Sequence, residues 1–392
     1  MPSETIKLTA KFKLKETPEG LDELFSTYRE IVNFLITHAY ESNITSFKRL
    51  KKEKYKELRK EYPELPSHYH YTACQMASSI YKNYRKRKRR GKANGKPVFK
   101  KDTIMLDDHL FKLNLEKGII KLSTPSGRIP LEFHPAEYHE KFKGWKVGQA
   151  WLVRTLKGVF INVVFSKEVE MKEPEAFVGV DLNENNVTLS LSNGEFVQII
   201  THEREIRTGY FLKRRRIQKK IRSGKRRKAL LEKYGERERN RLTDLYHKLA
   251  NKIVELAEKY GGIALEDLTE IRDSIRYSVE MNGRLHRWSF RKLQSIIEYK
   301  AKLKGVKVLF VDPAHTSSLC PICGGKLSPN GRRVLKCECG FEADRDVVGS
   351  WNIRLRALKM WGVSVPPESP PMKTGGGKPT RYEINTLHTI NG

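Results

Sequence analysis

Ala176-Phe177-Val178-Gly179-Val180-Asp181 is an apolar run that ends on a carboxylate, and Gly262-Ile263-Ala264-Leu265-Glu266-Asp267 repeats that form further along the chain. A short apolar run bounded by turn residues reads as a buried strand, and an acid at its end emerges at the carboxyl edge of a sheet. Between the two runs, Val187, Leu189 and Leu191 alternate with polar residues and residues 195–200 supply another strand, so short turns join three strands into an antiparallel meander. A long helical stretch follows, with Leu242, Leu245, Leu249, Ile253, Leu256 and Tyr260 on one face, and stops at Gly261-Gly262. Strand (263–266), helix (about 288–304) and strand (306–312) then alternate. A meander followed by βαβ units predicts an α/β fold with a mixed sheet and helices on its faces, the ribonuclease H-like order. In that order the first strand is central and the strand after the first helix pairs parallel beside it, which brings Asp181 and Glu266 to one edge.

Downstream, Cys320-Pro321-Ile322-Cys323-Gly324-Gly325 and Cys337-Glu338-Cys339-Gly340 are two tight turns, each presenting two thiolates. Ser328-Pro329-Asn330-Gly331 between them is a hairpin tip, so a two-stranded ribbon can bring the turns together. Four thiolates complete a tetrahedron around one zinc ion with no position left for water, which marks a structural site. The second turn has one residue between its cysteines where two are usual. Four of the five cysteines cluster in this way, which in a reducing compartment favours metal over disulfides, and Cys74 stands alone as a core residue. Asp344-Arg345-Asp346 opens a last helix with Val347, Trp351, Leu355 and Leu358 on one face, running to about Trp361.

An acid at a strand end is more often a turn or cap residue than a ligand. Asp181, Glu266 and Asp346 stand out by their order on this fold: strand-end, strand-end, helix-start. Hard cations such as Mg²⁺ take oxygen ligands, and a pair of them can activate water and stabilise the leaving oxygen of a phosphodiester. The three carboxylates are therefore candidate catalytic ligands for Mg²⁺, with two ions expected.

Upstream, Ile6, Leu8, Ala10, Phe12 and Leu14 alternate with polar residues as a strand, and residues 21–84 turn helical, with breaks near Pro63 and Pro66. Strands resume at 111–122 and 149–165, turning at Lys117-Gly118 and Lys157-Gly158. The expected organisation is a small β-barrel over 1–20 and 96–170, a helical insertion at 21–95, the mixed sheet at 171–312 with a basic helical hairpin at 203–260, a zinc ribbon at 313–343 and the last helix at 344–362. Pro- and Gly-rich residues 363–392 are expected to be a disordered tail.

The chain has 392 residues, with 76 Lys and Arg against 46 Asp and Glu, a net charge of +30. Such an excess repels itself unless a polyanion compensates it, which points to nucleic acid. Eleven basic residues lie between Lys82 and Lys101, interleaved with aromatic ones, and thirteen between Arg204 and Lys228. A lone basic run is often a solvated face. Two runs inside folded regions favour phosphate contact and base stacking, and the candidates are Arg85, Arg87, Arg89, Arg90, Arg214, Arg215, Arg216, Lys219, Lys220, Arg226 and Arg227. His68, His70, His286 and His315 show no ligand spacing that competes with the cysteines and read as surface or core residues. Apolar runs such as Val308–Val311 fall far short of the roughly 20 residues a spanning helix needs. The first residues carry no secretory pattern, so a prokaryotic cytoplasmic protein, nucleoid-associated when bound to DNA and without a membrane partner, is expected.

Gly179-Val180-Asp181, Leu265-Glu266-Asp267-Leu268, the two cysteine turns, Asp344-Arg345-Asp346 and Trp351-Asn352-Ile353 together resemble the TnpB (OrfB) proteins of bacterial and archaeal insertion sequences, relatives of the compact type V CRISPR effectors. The resemblance is specific over about residues 171–362 and earlier concerns layout alone. It implies a split RuvC nuclease whose three acids fall on Asp181, Glu266 and Asp346, with zinc inserted before the third. It also implies wedge and recognition modules that bind RNA, a guide RNA transcribed from the transposon end, and target DNA bearing a short adjacent motif. Two positions depart from the family pattern: Val348 stands where Asn is frequent, and Leu182-Asn183 follows the first acid where a small residue is common. The expected function is an RNA-guided DNA endonuclease. An RNA-guided repressor without cleavage is disfavoured because all three acids are present. A transposase in the strict sense is disfavoured because no His motif with a nucleophilic Tyr stands out among sixteen tyrosines.

Overall fold

In the computed structural model the chain forms two units, Thr5–Glu168 and Met1–Glu4 with Val169–Gly392. The structure describes residues 2–269, 278, 281–283, 288–362 and 379–384. His286 and most of the expected tail lie outside these residues.

In the first unit the period-two pattern opens β1 (Ser3–Lys13), with Ile6, Ala10 and Phe12 buried. Three helices follow, α1 (Leu21–Glu41), α2 (Phe47–Glu61) and α3 (Ser67–Arg89). The α1 stripe Leu24, Phe25, Tyr28, Val32 and Leu35 is fully inside, in a core shared with Tyr69, Ala73 and Ala77 of α3. Then come β2 (Thr103–Leu106), β3 (Phe111–Asn114), β4 (Ile119–Thr124), β5 (Gly127–Glu132), β6 (Lys146–Thr155) and β7 (Gly158–Glu170). Hydrogen bonding divides them into a sheet of order β1-β7-β6-β2 and another of order β3-β4-β5, joined by a bridge between Leu14 and Phe133. Phe12, Phe133, Phe165 and His139 pack against one another at tilted and edge-on angles.

The second unit is a mixed α/β structure. It holds β8 (Ala176–Leu182), β9 (Asn186–Ser190), β10 (Phe196–Ile200), α4 (Glu203–Lys220), α5 (Lys225–Glu258), β11 (Gly261–Glu266), α6 (Phe290–Leu303) and β12 (Lys307–Val311). Three short strands follow, β13 (Ser328–Pro329), β14 (Val334–Lys336) and β15 (Glu342–Asp344), then α7 (Arg345–Trp361) and β16 (Thr380–Glu383). The main sheet has the order β12-β11-β8-β9-β10-β16. Central β8 pairs antiparallel with β9 and parallel with β11, Leu265 opposite Val180.

Parity along the strands decides which face each side chain meets. Val178, Val180, Ile263 and Leu265 belong to the core with Leu245, Leu249 and Ile253 of α5 and Ile297 of α6. Phe177 and Ala264 point the other way, into a core with Ile353, Ala357 and Leu358 of α7. Asp181 and Glu266 share the parity of Phe177 and Ala264, so both acids face α7. That helix lies very close to β8: a Cβ on Gly179 would overlap the carbonyl oxygen of Ser350. The Gly in Gly179-Val180-Asp181 is thus a packing requirement.

The expected disordered tail is corrected at one place. Thr380–Glu383 pairs parallel with β10, with Ile199 opposite Tyr382. Its side chains are exposed, so main-chain bonds to an open sheet edge hold it, and a β-branched and an aromatic residue suit that role. The Pro- and Gly-rich composition upstream carries no sign of it. No described helix is long and apolar enough to cross a membrane.

Candidate active site

Asp181 stands near the end of β8 and Glu266 ends β11, one step beyond the Leu265–Val180 pair. Asp346 lies in the first turn of α7, whose N-cap Asp344 accepts the Asp346 backbone N–H at 2.8 Å. The helix start that an Asp-x-Asp sequence favours therefore presents the third acid, and the positive end of the helix dipole favours its charge. A Cβ on Gly349 would sit 3.1 Å from Oδ2 of Asp181, a measure of how closely α7 approaches that carboxylate.

Asp181 bears the charges of the other two acids. Asp181 keeps part of its surface open, yet the protein packed around it, followed by the charges of Glu266 and Asp346, pushes its pKa up to about 8. Burial also raises Glu266 and Asp346 above the usual carboxylate range. Each acid has a polar holder. Asn183 Nδ2 donates to Asp181 Oδ2 at 2.9 Å. Thr316 Oγ1 donates to Glu266 Oε1 at 2.6 Å. Arg333, from the loop joining β13 to β14, ion-pairs with Asp346 and reaches Asp344 at 3.3 Å. Asn352 of α7 in turn donates to the carbonyls of Thr316 and Leu319, both at 2.8 Å.

Sequence reasoning singles out the acids but not these holders. Asn183 surfaces there only as a departure from a pattern and Asn352 only inside Trp351-Asn352-Ile353, while Thr316 and Arg333 carry no local signal. Val348, the other departure, is fully buried beside Trp351 and Phe196.

The cysteines come together far more tightly. Sγ of Cys320 lies 3.7 Å from that of Cys339, and Sγ of Cys323 lies 3.4 Å from that of Cys337. A tetrahedron with Zn–S bonds of about 2.3 Å has an edge of about 3.8 Å, so the quartet fits zinc. Gly324 and Gly340 take φ of +73° and +87°, which lets each turn curl behind its sulfurs. Burial pushes the Cys320 thiol up to about 12, while the Gly325 N–H pulls Cys323 down to about 7. A bound cation would favour the thiolate at all four. Among the described residues, two groups of potential ligands close to within 4.8 Å: this quartet, and His68 with Asp107 and His109. The carboxylates are more widely spaced.

The basic candidates fall on two helical segments. Arg85, Arg87 and Arg89 lie in the last turns of α3 and Arg90 follows it, with all but part-covered Arg85 exposed. Arg87 donates to the Lys92 carbonyl at 3.2 Å. Arg215, Arg216, Lys219 and Lys220 of α4 and Arg226 of α5 are exposed, and Arg227 is half-buried. Arg214 differs, because its guanidinium is paired with Glu238 of α5. It fastens the hairpin.

Comparison with known proteins places this geometry in context. A family described as "Probable transposase" matches residues 160–271, a "Cas12f1-like, TNB domain" matches residues 290–353, and an uncharacterized protein family matches residues 24–123. The TnpB-like protein MJ0751 of Methanocaldococcus jannaschii is 38% identical over 257 residues, which span 62% of this chain and 92% of that protein. The CRISPR-associated endodeoxyribonuclease Cas12f1 of Sulfoacidibacillus thermotolerans is 39% identical over 115 residues, 28% of this chain and 26% of that one. The solved structure of the mini-RNA-guided endonuclease CRISPR-Cas_phi3 shares the fold, with a TM-score of 0.50 and 11% identity over 90% of this chain and 92% of that chain. With the matched region spanning nearly the whole of MJ0751, and with the cysteine turns and acid-bearing strands in place, this chain belongs to the TnpB-like protein family.

Proposed function

We propose that the protein is a transposon-associated, RNA-guided DNA endonuclease. The observation that carries this reading is the carboxylate edge: Asp181 and Glu266 face α7, Asp346 stands in the first turn of that helix, and Asp181 is driven up to about 8 by enclosure and by the other two charges. Such an arrangement calls for cations. We read the six-stranded sheet as ribonuclease H-like, of the RuvC kind, and the sheets of the first unit as a wedge barrel with a helical recognition insertion. Two Mg²⁺ ions held by the three acids would activate water and stabilise the departing oxygen of the phosphodiester. Thr316 and Asn183 hold the Glu266 and Asp181 carboxylates in place, and the Arg333 guanidinium neutralises Asp346, so it would compete with a divalent ion for that carboxylate. Zinc at Cys320, Cys323, Cys337 and Cys339 closes the ribbon from which Arg333 reaches the site. The exposed bases of α3, α4 and α5 suit phosphate contact, with guide RNA and target DNA as the partners, in keeping with the names of the Cas12f and Cas_phi relatives.

The test is cleavage of DNA by the protein purified with its own RNA. Sequencing that RNA should yield a discrete transcript from the 3′ flank of the gene, and Asp181→Ala should bind DNA without cutting it. Cutting by Asp181→Ala in Mg²⁺ would remove the site assignment, and random RNA alone would remove guidance. The family description "Probable transposase" motivates one further arm: joining of transposon ends by the protein alone would favour a strand-transfer enzyme.

A further inference from the structure

His68, Asp107 and His109 offer an imidazole, a carboxylate and a second imidazole whose ligand atoms all lie within 4.8 Å of one another. They come from two distant places in the chain. His68 is in the first turn of α3, and Asp107 and His109 lie in the connection from β2 to β3. Asp107 is 8% exposed and held on both sides. Its Oδ2 lies 2.6 Å from Nδ1 of His68, and its Oδ1 accepts the His109 backbone N–H at 3.1 Å. The His109 ring stacks on that of His68, with centroids 3.9 Å apart and planes 17° from parallel. His109 is exposed, and its Nδ1 lies 3.2 Å from the Asp108 carboxylate.

Each feature suits a metal centre. A fixed carboxylate supplies one anchor and half-buried His68 a second, while the exposed His109 ring is able to turn. Two imidazoles with one carboxylate favour ions of the zinc, nickel and copper class over Mg²⁺ or Ca²⁺, which prefer oxygen throughout. Asp108 stands where ligand histidines commonly find a carboxylate for the other ring nitrogen, a contact that fixes ring orientation and strengthens the ligand.

We propose that His68, Asp107 and His109 bind one divalent transition-metal ion, separate from the cysteine site, that ties the first turn of α3 to the β2–β3 connection. The ion takes the place of the proton shared by His68 and Asp107. With metal–ligand bonds of about 2.0–2.2 Å the pair opens to a tetrahedral edge of about 3.4 Å, His109 swings out of the stack to add its nitrogen, and water fills the remaining position. The tie joins residues 39 positions apart in sequence. Nothing in it depends on the nuclease reading.

The test uses untagged full-length protein already loaded with zinc at the cysteines. Dialysis against buffered Zn²⁺ followed by elemental analysis should find a second zinc per chain, absent from His109→Ala and His68→Ala and retained when Cys337 and Cys339 are both changed to Ser. His109 is exposed, so its replacement leaves the fold intact. Added Co²⁺ should give d–d absorption without thiolate charge-transfer bands, and His109→Ala should lose it. Asp108→Asn should weaken this binding about tenfold, the scale of an outer-sphere partner. A single zinc in the wild-type chain, or a second zinc held equally by both His variants, overturns the proposal.

Discussion

The cysteine ribbon and the carboxylate edge adjoin at Asp346 and are opposite in character. The four sulfurs stand at nearly the spacing a tetrahedral ion demands, set by two glycine turns and a hairpin. The charges of Glu266 and Asp346 press on Asp181, and the three acids rest on Asn183, Thr316 and Arg333 and do not close to within 4.8 Å as the sulfurs do. A structural site is complete in its own turns, whereas a reactive one is left under electrostatic load and borrows its order from elsewhere. The two meet through the loop between β13 and β14, where Arg333 reaches from the ribbon to Asp346, and through Thr316, which leads into the first cysteine turn and holds Glu266.

The sharpest way to break this contrast is to remove a carboxylate. Metal-ion stabilisation is worth several kcal/mol, so Asp181→Ala or Glu266→Ala should lower the single-turnover cleavage rate by about 10³-fold or more with nucleic-acid binding intact. A residual rate within tenfold of wild type would show that the edge is not the reactive centre. Next in size, Cys337→Ser should release the bound zinc, seen by elemental analysis, and melt the ribbon, since structural zinc contributes about 10 kcal/mol or more to small folds. Cleavage should fall with it because Arg333 and Thr316 lose their footing. Normal cutting by the zinc-free variant would mean that the two regions are independent. Thr316→Val, which keeps shape and deletes the donor, should lower the rate about tenfold, and Thr316→Ser should restore it, as expected of a group that only positions Glu266.

Acidity offers a finer comparison. Folding raises the Asp181 pKa from near 4 to about 8, so between those values the folded chain binds a proton that the unfolded chain has lost. Its stabilising contribution is full below about pH 4 and is lost as the pH climbs towards 8. Without divalent ions, Asp181→Asn should therefore melt higher than wild type at pH 8, and the gap should close towards pH 4. Equal melting at both values would show that the load is absent. The smallest effects belong to the basic hairpin. Each of Lys219→Ala, Lys220→Ala and Arg226→Ala should weaken binding a few-fold and reduce the salt slope by about 0.7–0.9 for each phosphate that the native side chain engages. Arg214→Ala should leave the slope unchanged and lower the melting temperature, because its charge is engaged by Glu238.

Much of this is legible in the sequence where the signal is local. The apolar runs Phe177–Asp181 and Ile263–Glu266 carry two buried strands, each ending on an acid at one sheet edge. The spacing of Cys320, Cys323, Cys337 and Cys339 carries the quartet, and Asp344-Arg345-Asp346 carries a helix start. The holders are not legible, because a hydrogen bond between Thr316 and Glu266 joins residues 50 positions apart and leaves no periodic trace. The same holds for Thr380–Glu383, whose strand character depends on an open edge at β10 rather than on its own composition.

Periodicity and short spacing follow from backbone geometry alone, so the helix stripes, the buried strands, the two cysteine turns and the family resemblance could be read from the residues. Tertiary structure alone decided which polar groups meet. It turned Arg214 from a free cation into a fastener, set Arg333 against Asp346, and gathered Asp107 and His109 around His68, which reads from its spacing as an ordinary surface or core residue. The physical reason is that a polar side chain's role depends on the partner that replaces its water, and that partner is chosen by the packing of distant elements.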